Sequence, residues 1–221
     1  MFTPKLDILP AAQLTLWPEL VATPGEFTLY GGTAIALRLG HRSSVDFDFF
    51  STQPFAPEAL MSSVPYLAGG TVRQMAPNTL TATVDRGGAV LLSFFGRLGL
   101  GQVAPAERAS GPRFATASLL DLSGFKAAVI YQRAELKDYL DIHALLTKGD
   151  IPLAVMLAAA GVIYGREFNP LVSLKAISYH DDPALAGLSP GIRRDLIAAV
   201  RQVNVTSLPV LDPVRHRAPI A

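Results

Sequence analysis

Tyr30-Gly31-Gly32-Thr33-Ala34-Ile35-Ala36-Leu37-Arg38-Leu39-Gly40-His41-Arg42-Ser43-Ser44-Val45-Asp46-Phe47-Asp48-Phe49-Phe50 decides how the rest of this chain reads. Residues 27 to 30 are an apolar β-type run. Gly31 and Gly32 then allow a sharp turn whose backbone can approach a ligand closely. Residues 33 to 39 carry Ile35, Leu37 and Leu39 in a helix-forming setting, and Gly40 ends the helix. Residues 45 to 50 alternate at period two. Val45, Phe47 and Phe49 are expected on one face, which puts Asp46 and Asp48 together on the other.

Two carboxylates on one strand face repel each other unless water or a cation lies between them. A hard divalent cation such as Mg2+ takes oxygen ligands and commonly keeps phosphates as partners. A glycine turn that opens a helix supplies backbone N–H groups for those phosphates. The two halves in this order describe a site for a metal-bound nucleoside triphosphate. Either half alone would read as a loop glycine pair or as solvated aspartates on an edge strand.

The motif Gly31-Gly32, followed by Leu39-Gly40-His41-Arg42-x-Ser-x-Asp46-Phe47-Asp48-Phe49-Phe50, resembles the core of the AbiEii/AbiGii toxin family. That family belongs to the DNA polymerase β-like nucleotidyltransferases. Its later signature is a Lys on one helix and a Lys/Arg-Asp-x-x-Asp on the next. Here these are Lys126 and Lys137-Asp138-Tyr139-Leu140-Asp141. The resemblance covers about residues 25 to 148. It implies an α+β fold, with a nucleotidyltransferase-type mixed sheet and flanking helices in an N-lobe (1–110) and an all-helical C-lobe (111–221). It also implies a toxin of a type IV-like toxin–antitoxin pair, with a cognate antitoxin as partner and tRNA 3′ ends as an acceptor.

On this reading Asp46 and Asp48 hold Mg2+ or Mn2+, and Gly31, Gly32 and Thr33 cradle the triphosphate. Arg42 contacts nucleotide or acceptor, unless it closes the motif by pairing with Asp46 or a backbone carbonyl. Arg38, His41 and Arg42 together are a local basic stretch for an RNA backbone. Lys126 neutralises phosphate charge as a compact cation, and Asp141 is general base or extra metal ligand. Both are expected to line one cleft with Asp46 and Asp48, with Lys126 close to Asp141. The bland alternative is a buried Lys126–Asp141 pair pinning two helices. Lys126 stands among the apolar Phe125, Ala127, Ala128, Val129 and Ile130, an unusual setting for a merely structural lysine.

Composition sets outer bounds. The chain has 221 residues, half of them hydrophobic, so a sizeable core is possible. A net charge of +1 makes no global electrostatic case for nucleic-acid binding, so any such surface is local. With no cysteine, disulfides and thiolate metal sites are excluded. The longest apolar stretch, 151 to 164, falls short of the ~20 residues of a membrane span and reads as a buried helix. The N-terminal residues lack the apolar run of a signal peptide. The expectation is a cytoplasmic protein without a membrane partner.

Along the chain, 8 to 22 reads as a covering helix and 57 to 61 as a short one. Residues 69 to 74, 79 to 84 and 89 to 95 read as strands, with Asp85 forming a turn. Relatives of this superfamily often carry a third carboxylate on the strand beside the Asp pair. Ser93 stands at that place, which puts a three-carboxylate, two-metal site in doubt. It leaves open a catalytically weak nucleotide-binding or interaction protein on the same fold. A small-molecule nucleotidyltransferase is a further alternative. Helices are expected over 118–131, 134–146, 151–164, 169–179 and 189–204. His180-Asp181-Asp182-Pro183 reads as a loop, and the Pro-rich, basic residues 205–221 as a mobile tail.

Overall fold

The computed structural model describes residues 1–214; residues 215–221, the end of the expected mobile tail, lie outside the described residues. The chain divides into two compact units. The first holds Met1–Gly99 and Ala106–Ala117; the second holds Leu100–Pro105 and the chain from Ser118 onward. The expected boundary at residue 110 falls inside the first unit.

The first unit is built on a mixed sheet. Helix α1 (Ala11–Leu16) passes into a 3-10 turn at Trp17–Ala22, because Pro18 cannot donate the next α-helical hydrogen bond. Strand β1 (Thr28–Tyr30), helix α2 (Gly31–Leu39) and strand β2 (Asp46–Phe50) follow. Helix α3 (Pro57–Ser63) starts on a proline, where a missing N–H costs nothing. Strands β3 (Thr71–Ala76), β4 (Thr79–Asp85) and β5 (Ala89–Phe95) form an antiparallel meander. Asp85 is the turn former: its Oδ1 accepts the N–H groups of Gly87 and Gly88 at 2.9 Å each. Two short strands, β6 (Glu107–Arg108) and β7 (Ala115–Thr116), come from the glycine- and proline-rich stretch that carried no strand signal.

The strand order is β3-β4-β5-β2-β1-β7-β6. β2 pairs with β5 and β1 with β7 in parallel; β1–β2 and β6–β7 are antiparallel. With flanking helices this is an α+β fold with a mixed sheet, as expected. The period-two pattern of β2 sets one face against the core. Phe47, Phe49, Leu80, Ala82, Leu92 and Phe94 there are fully buried, and Phe49 stacks on Phe94 with ring centroids 5.2 Å apart. Val45 is not part of this face. It precedes the strand and is 50% exposed.

The second unit is helical: α4 (Leu119–Val129), α5 (Leu136–Thr147), α6 (Leu153–Tyr164), α7 (Pro170–Ser178) and α8 (Pro190–Arg201). Ser118, Asn169 and Ser189 cap α4, α7 and α8 through side-chain oxygens that accept first-turn N–H groups. Asp121, fully buried, accepts the Val103 and Ala104 N–H groups at 2.8 and 3.0 Å. Gly101 donates to the Ile163 carbonyl at 2.8 Å. These bonds attach Leu100–Pro105 to the helices. The Val214 N–H also reaches the Gln102 carbonyl at 2.7 Å. No helix among the described residues is long and apolar enough to cross a membrane.

Helix α6 is apolar on nearly every side because α4 lies directly on it. A β-carbon on Gly124 would meet the Ala159 carbonyl carbon and β-carbon and the Ala160 nitrogen at 2.8 Å each. A β-carbon on Gly161 would meet nothing within 4 Å. Alanine is the better helix former by about 0.5–1 kcal/mol, but overpacking against fixed backbone costs about 1–3 kcal/mol. Gly124→Ala should therefore destabilise the protein and Gly161→Ala should stabilise it slightly, read by urea unfolding. Stabilisation by both would contradict the close α4–α6 approach.

Candidate active site

In the first unit the glycine turn and the aspartates meet. Tyr30 is the register partner of Asp48, so the turn after β1 lies beside the Asp48 carboxylate. Gly31 has φ +74°, a backbone conformation that disfavours any β-carbon. A β-carbon there would also lie 2.7 Å from Asp48 Oδ2. The positive φ is the firm demand for glycine at 31, and a β-carbon would in addition force the Asp48 carboxylate to shift. The N-cap residue Tyr30 makes no side-chain capping bond, and the Asp48 carboxylate lies beside the first turn of α2. Such a helix start favours anions.

Thr33 holds this start in place. Its side chain is buried; its hydroxyl donates to the Asp46 carbonyl and shares a 2.8 Å hydrogen bond with Ser44 Oγ, in which the Ser44 hydroxyl donates. Its hydroxyl is therefore a tie between α2 and β2. Asp46 and Asp48 are both half-buried on the face opposite Phe47 and Phe49. Tyr30 and Phe50 stack on this same face at 4.9 Å.

Asp48 pairs with Ser93 of β5, so Ser93 occupies the position beside Asp48 on the shared face. It is 6% exposed. Among the described residues, no three His, Asp or Glu side chains converge to hold a metal. The donors that do converge are hard: two carboxylates on one strand face, with a hydroxyl in the next row. They fit one hard divalent cation that draws its remaining oxygens from phosphate and water. The missing β-carbon of Gly31 keeps the space beside Asp48 Oδ2 open. His180 to Asp182 are loop, as expected, and Pro183 opens a 3-10 turn (Pro183–Leu185) that Asp182 caps by accepting the Ala184 N–H.

The basic stretch separates into different roles. Arg38 is not available to an RNA backbone. Its side chain is 6% exposed, donates to Glu107 and the Ala117 carbonyl at 3.0 and 2.7 Å, and stacks 3.9 Å over the Phe2 ring. Burial draws its guanidinium below the ordinary range, against the pull of Glu107. Helix α2 faces Arg38 toward β7 and the N-terminal residues, a placement that sequence spacing could not show. Arg42 donates to the Ser43 carbonyl at 3.0 Å at the exposed surface. His41 is half-buried in the same link.

In the second unit Lys126 and Asp141 meet, and a third group joins them. The Lys126 ammonium lies 2.9 Å from Asp141 Oδ2 and 2.7 Å from Asp138 Oδ1. Both aspartates are fully buried and the lysine side chain is 5% exposed. Arg133, half exposed, reaches the other Asp138 oxygen at 3.4 Å. Asp138 was the residue that sequence reasoning left without a role. Its signal was present: Asp138 and Asp141 are one helical turn apart, so a lysine facing one faces both.

Lys126→Met leaves two buried carboxylates facing each other without their cation. Such a loss typically costs about 3–5 kcal/mol. Adding Asp138→Asn and Asp141→Asn to that variant should restore much of the stability. Denaturant unfolding of both proteins measures this; a single variant within about 1 kcal/mol of the parent would show that the trio is not one buried unit.

The chain is 28% identical over 159 residues to an uncharacterized protein of Aquifex aeolicus, covering 71% of this chain and 75% of that one. Among solved structures, it is similar to the nucleotidyltransferase toxin MenT4 of Mycobacterium tuberculosis H37Rv. That match has a TM-score of 0.60 and 15% identity, covering 88% of this chain and 83% of that one. It is also similar to a candidate nucleotidyltransferase from H. pylori (TM-score 0.53, 15% identity), covering 86% of this chain and 90% of that one. These structural likenesses speak for the fold. The family model described as the AbiEii nucleotidyl transferase toxin of type IV toxin–antitoxin systems matches residues 19–200, and the chain belongs to that family.

Proposed function

We propose that this protein transfers a nucleotidyl group from a nucleoside triphosphate to the 3′ hydroxyl of an RNA, with tRNA as the leading acceptor. The observation that carries the proposal is the Asp48 carboxylate set against Gly31 at the start of α2. It puts an anion-favouring helix start next to hard oxygen donors, the combination a metal–triphosphate requires.

In this reading Asp46 and Asp48 hold Mg2+ or Mn2+. When bound, the ion neutralises phosphate charge and fixes the phosphates for in-line displacement. The N–H groups of Gly31, Gly32 and Thr33 bind triphosphate oxygens, and Arg42 adds a cation at the exposed end of the motif. Lys126 neutralises phosphate charge, and Asp141 accepts the proton of the attacking hydroxyl. The new oxygen–phosphorus bond forms at the α-phosphorus as the bond to pyrophosphate breaks. Such transfer is mostly positioning and charge stabilisation, so few residues suffice.

The burial of Lys126, Asp138 and Asp141 favours a second reading for that trio. A phosphate would have to displace a carboxylate from Lys126. On this reading the trio fixes α5 against α4 and touches no substrate. We further propose that the protein works in the cytoplasm, where its substrates are, and that a cognate antitoxin opposes it.

The test incubates purified protein with each α-labelled nucleoside triphosphate, Mg2+ and an RNA pool. Label should enter RNA, and Asp48→Asn should lower incorporation at least about 100-fold, the scale of losing one transition-state charge partner, with an unchanged melting temperature. Triphosphate binding without incorporation into RNA or any small acceptor would instead identify a nucleotide-binding protein. In the charge-balanced Lys126→Met/Asp138→Asn/Asp141→Asn protein, wild-type transfer supports the scaffold reading of the trio. Loss of transfer from a stably folded variant supports the catalytic one.

A further inference from the structure

The second unit contains a cavity of about 360 Å3 that the proposed reaction does not use. It opens where the 3-10 turn Ile130–Gln132 and the start of α5 meet α7 and the residues that follow it. Three tyrosines line it. Tyr139 is 2% exposed and donates its hydroxyl to the Ala176 carbonyl at 3.0 Å, so it forms part of the closed floor. Tyr131 and Tyr179 are 53% and 55% exposed, an unusual state for large aromatic side chains at a cavity mouth. Two cations, Arg133 and Lys175, share the lining with one acid, Asp182. Lys175 is exposed and makes no ion pair among the described residues.

From this geometry we infer that the cavity is a binding site for one nucleotide unit, a planar base with its attached phosphate. Each part of the lining matches one part of that ligand. Aromatic faces stack any base without demanding its sequence. Lys175 is the cation that matches a phosphate; Arg133 at the rim is shared with Glu135 and Asp138. Asp182 offers an acceptor oxygen for an amino group on the base edge. The volume lies at the small end of ligand pockets, about 300–1,000 Å3, which suits one nucleotide and not a protein segment with several side chains. An aliphatic ligand would leave Lys175 without a partner, whereas Arg133 already pairs with Glu135 and Asp138. The site stands independently of whether Asp46 and Asp48 carry out transfer.

The unit could come from a free nucleotide or from the end of a single-stranded RNA. Both are tested without triphosphate or divalent ion, so failure of the transfer reaction cannot be mistaken for failure of this site. One arm titrates AMP by calorimetry. The other titrates a labelled six-nucleotide single-stranded RNA by fluorescence anisotropy. Tyr131 and Tyr179 are exposed, so Tyr131→Ala and Tyr179→Ala should keep the wild-type melting temperature while each weakens binding about tenfold. Lys175→Ala should weaken RNA binding and flatten its log-affinity against log-salt slope by about 0.7. AMP bound as tightly as RNA identifies a free-nucleotide site; RNA bound far more tightly identifies a chain end, and either result supports the inference. Unchanged affinity for both ligands in a folded Tyr131→Ala/Tyr179→Ala protein overturns it, as does failure of the wild-type protein to bind either one.

Discussion

The absent β-carbon of Gly31 is the constraint on which the first unit's site depends. Strand pairing sets Tyr30 opposite Asp48, so the chain must turn into α2 directly beside a carboxylate. Only a residue that tolerates φ +74° and leaves the space next to Asp48 Oδ2 empty can make that turn. The Thr33 hydroxyl then locks the helix start to Ser44 and to the Asp46 carbonyl. Fold and chemistry are thus one problem here. The bonds that position α2 against β2 also hold the helix N–H groups and the two aspartates together.

The second unit solves a different problem. It buries one lysine with two carboxylates, one charge short of balance, and brings Arg133 to the open side. A buried ion cluster is poor evidence of added stability, because desolvation of the charges offsets much of their attraction. An apolar set of similar volume would hold α4 and α5 at less cost. Retaining charge in such a place is better explained by specificity of packing or by chemistry. Around the cluster the helices approach closely: α4 meets α6 through Gly124, and Asp121 fastens the segment 100–105 to the helices by two backbone N–H groups.

Much of the fold was legible where a pattern was local. The alternation of Asp46, Phe47, Asp48 and Phe49 fixed which face of β2 is buried, and the meander and the five later helices followed from turn and cap signals. Ser93 could be placed beside the Asp pair because strand periodicity fixes its face. What escaped was non-local. β6 and β7 are two residues each and exist through pairing with each other and with β1, not through their own sequence. Arg38 looked like a surface cation because helical spacing does not reveal that Phe2, Glu107 and Ala117 enclose it. Asp138 was visible in the motif, but its partnership with Lys126 depends on how α4 and α5 pack. The assignment of 100–105 to the helical unit could not be read from the sequence, because it rests on the burial of Asp121.

The central claim is that the glycine start of α2 and the β2 aspartates form one metal–triphosphate site. Crystals grown with a non-hydrolysable nucleoside triphosphate and Mn2+ test it directly, since the ion can be located by its anomalous scattering. The account predicts the ion in inner-sphere contact with Asp46 or Asp48, near the roughly 2.0–2.1 Å of Mg2+–oxygen bonds, and phosphate oxygens on the N–H groups of residues 31 to 33. An ion and triphosphate bound elsewhere, with Asp46 and Asp48 touching only water, would contradict it.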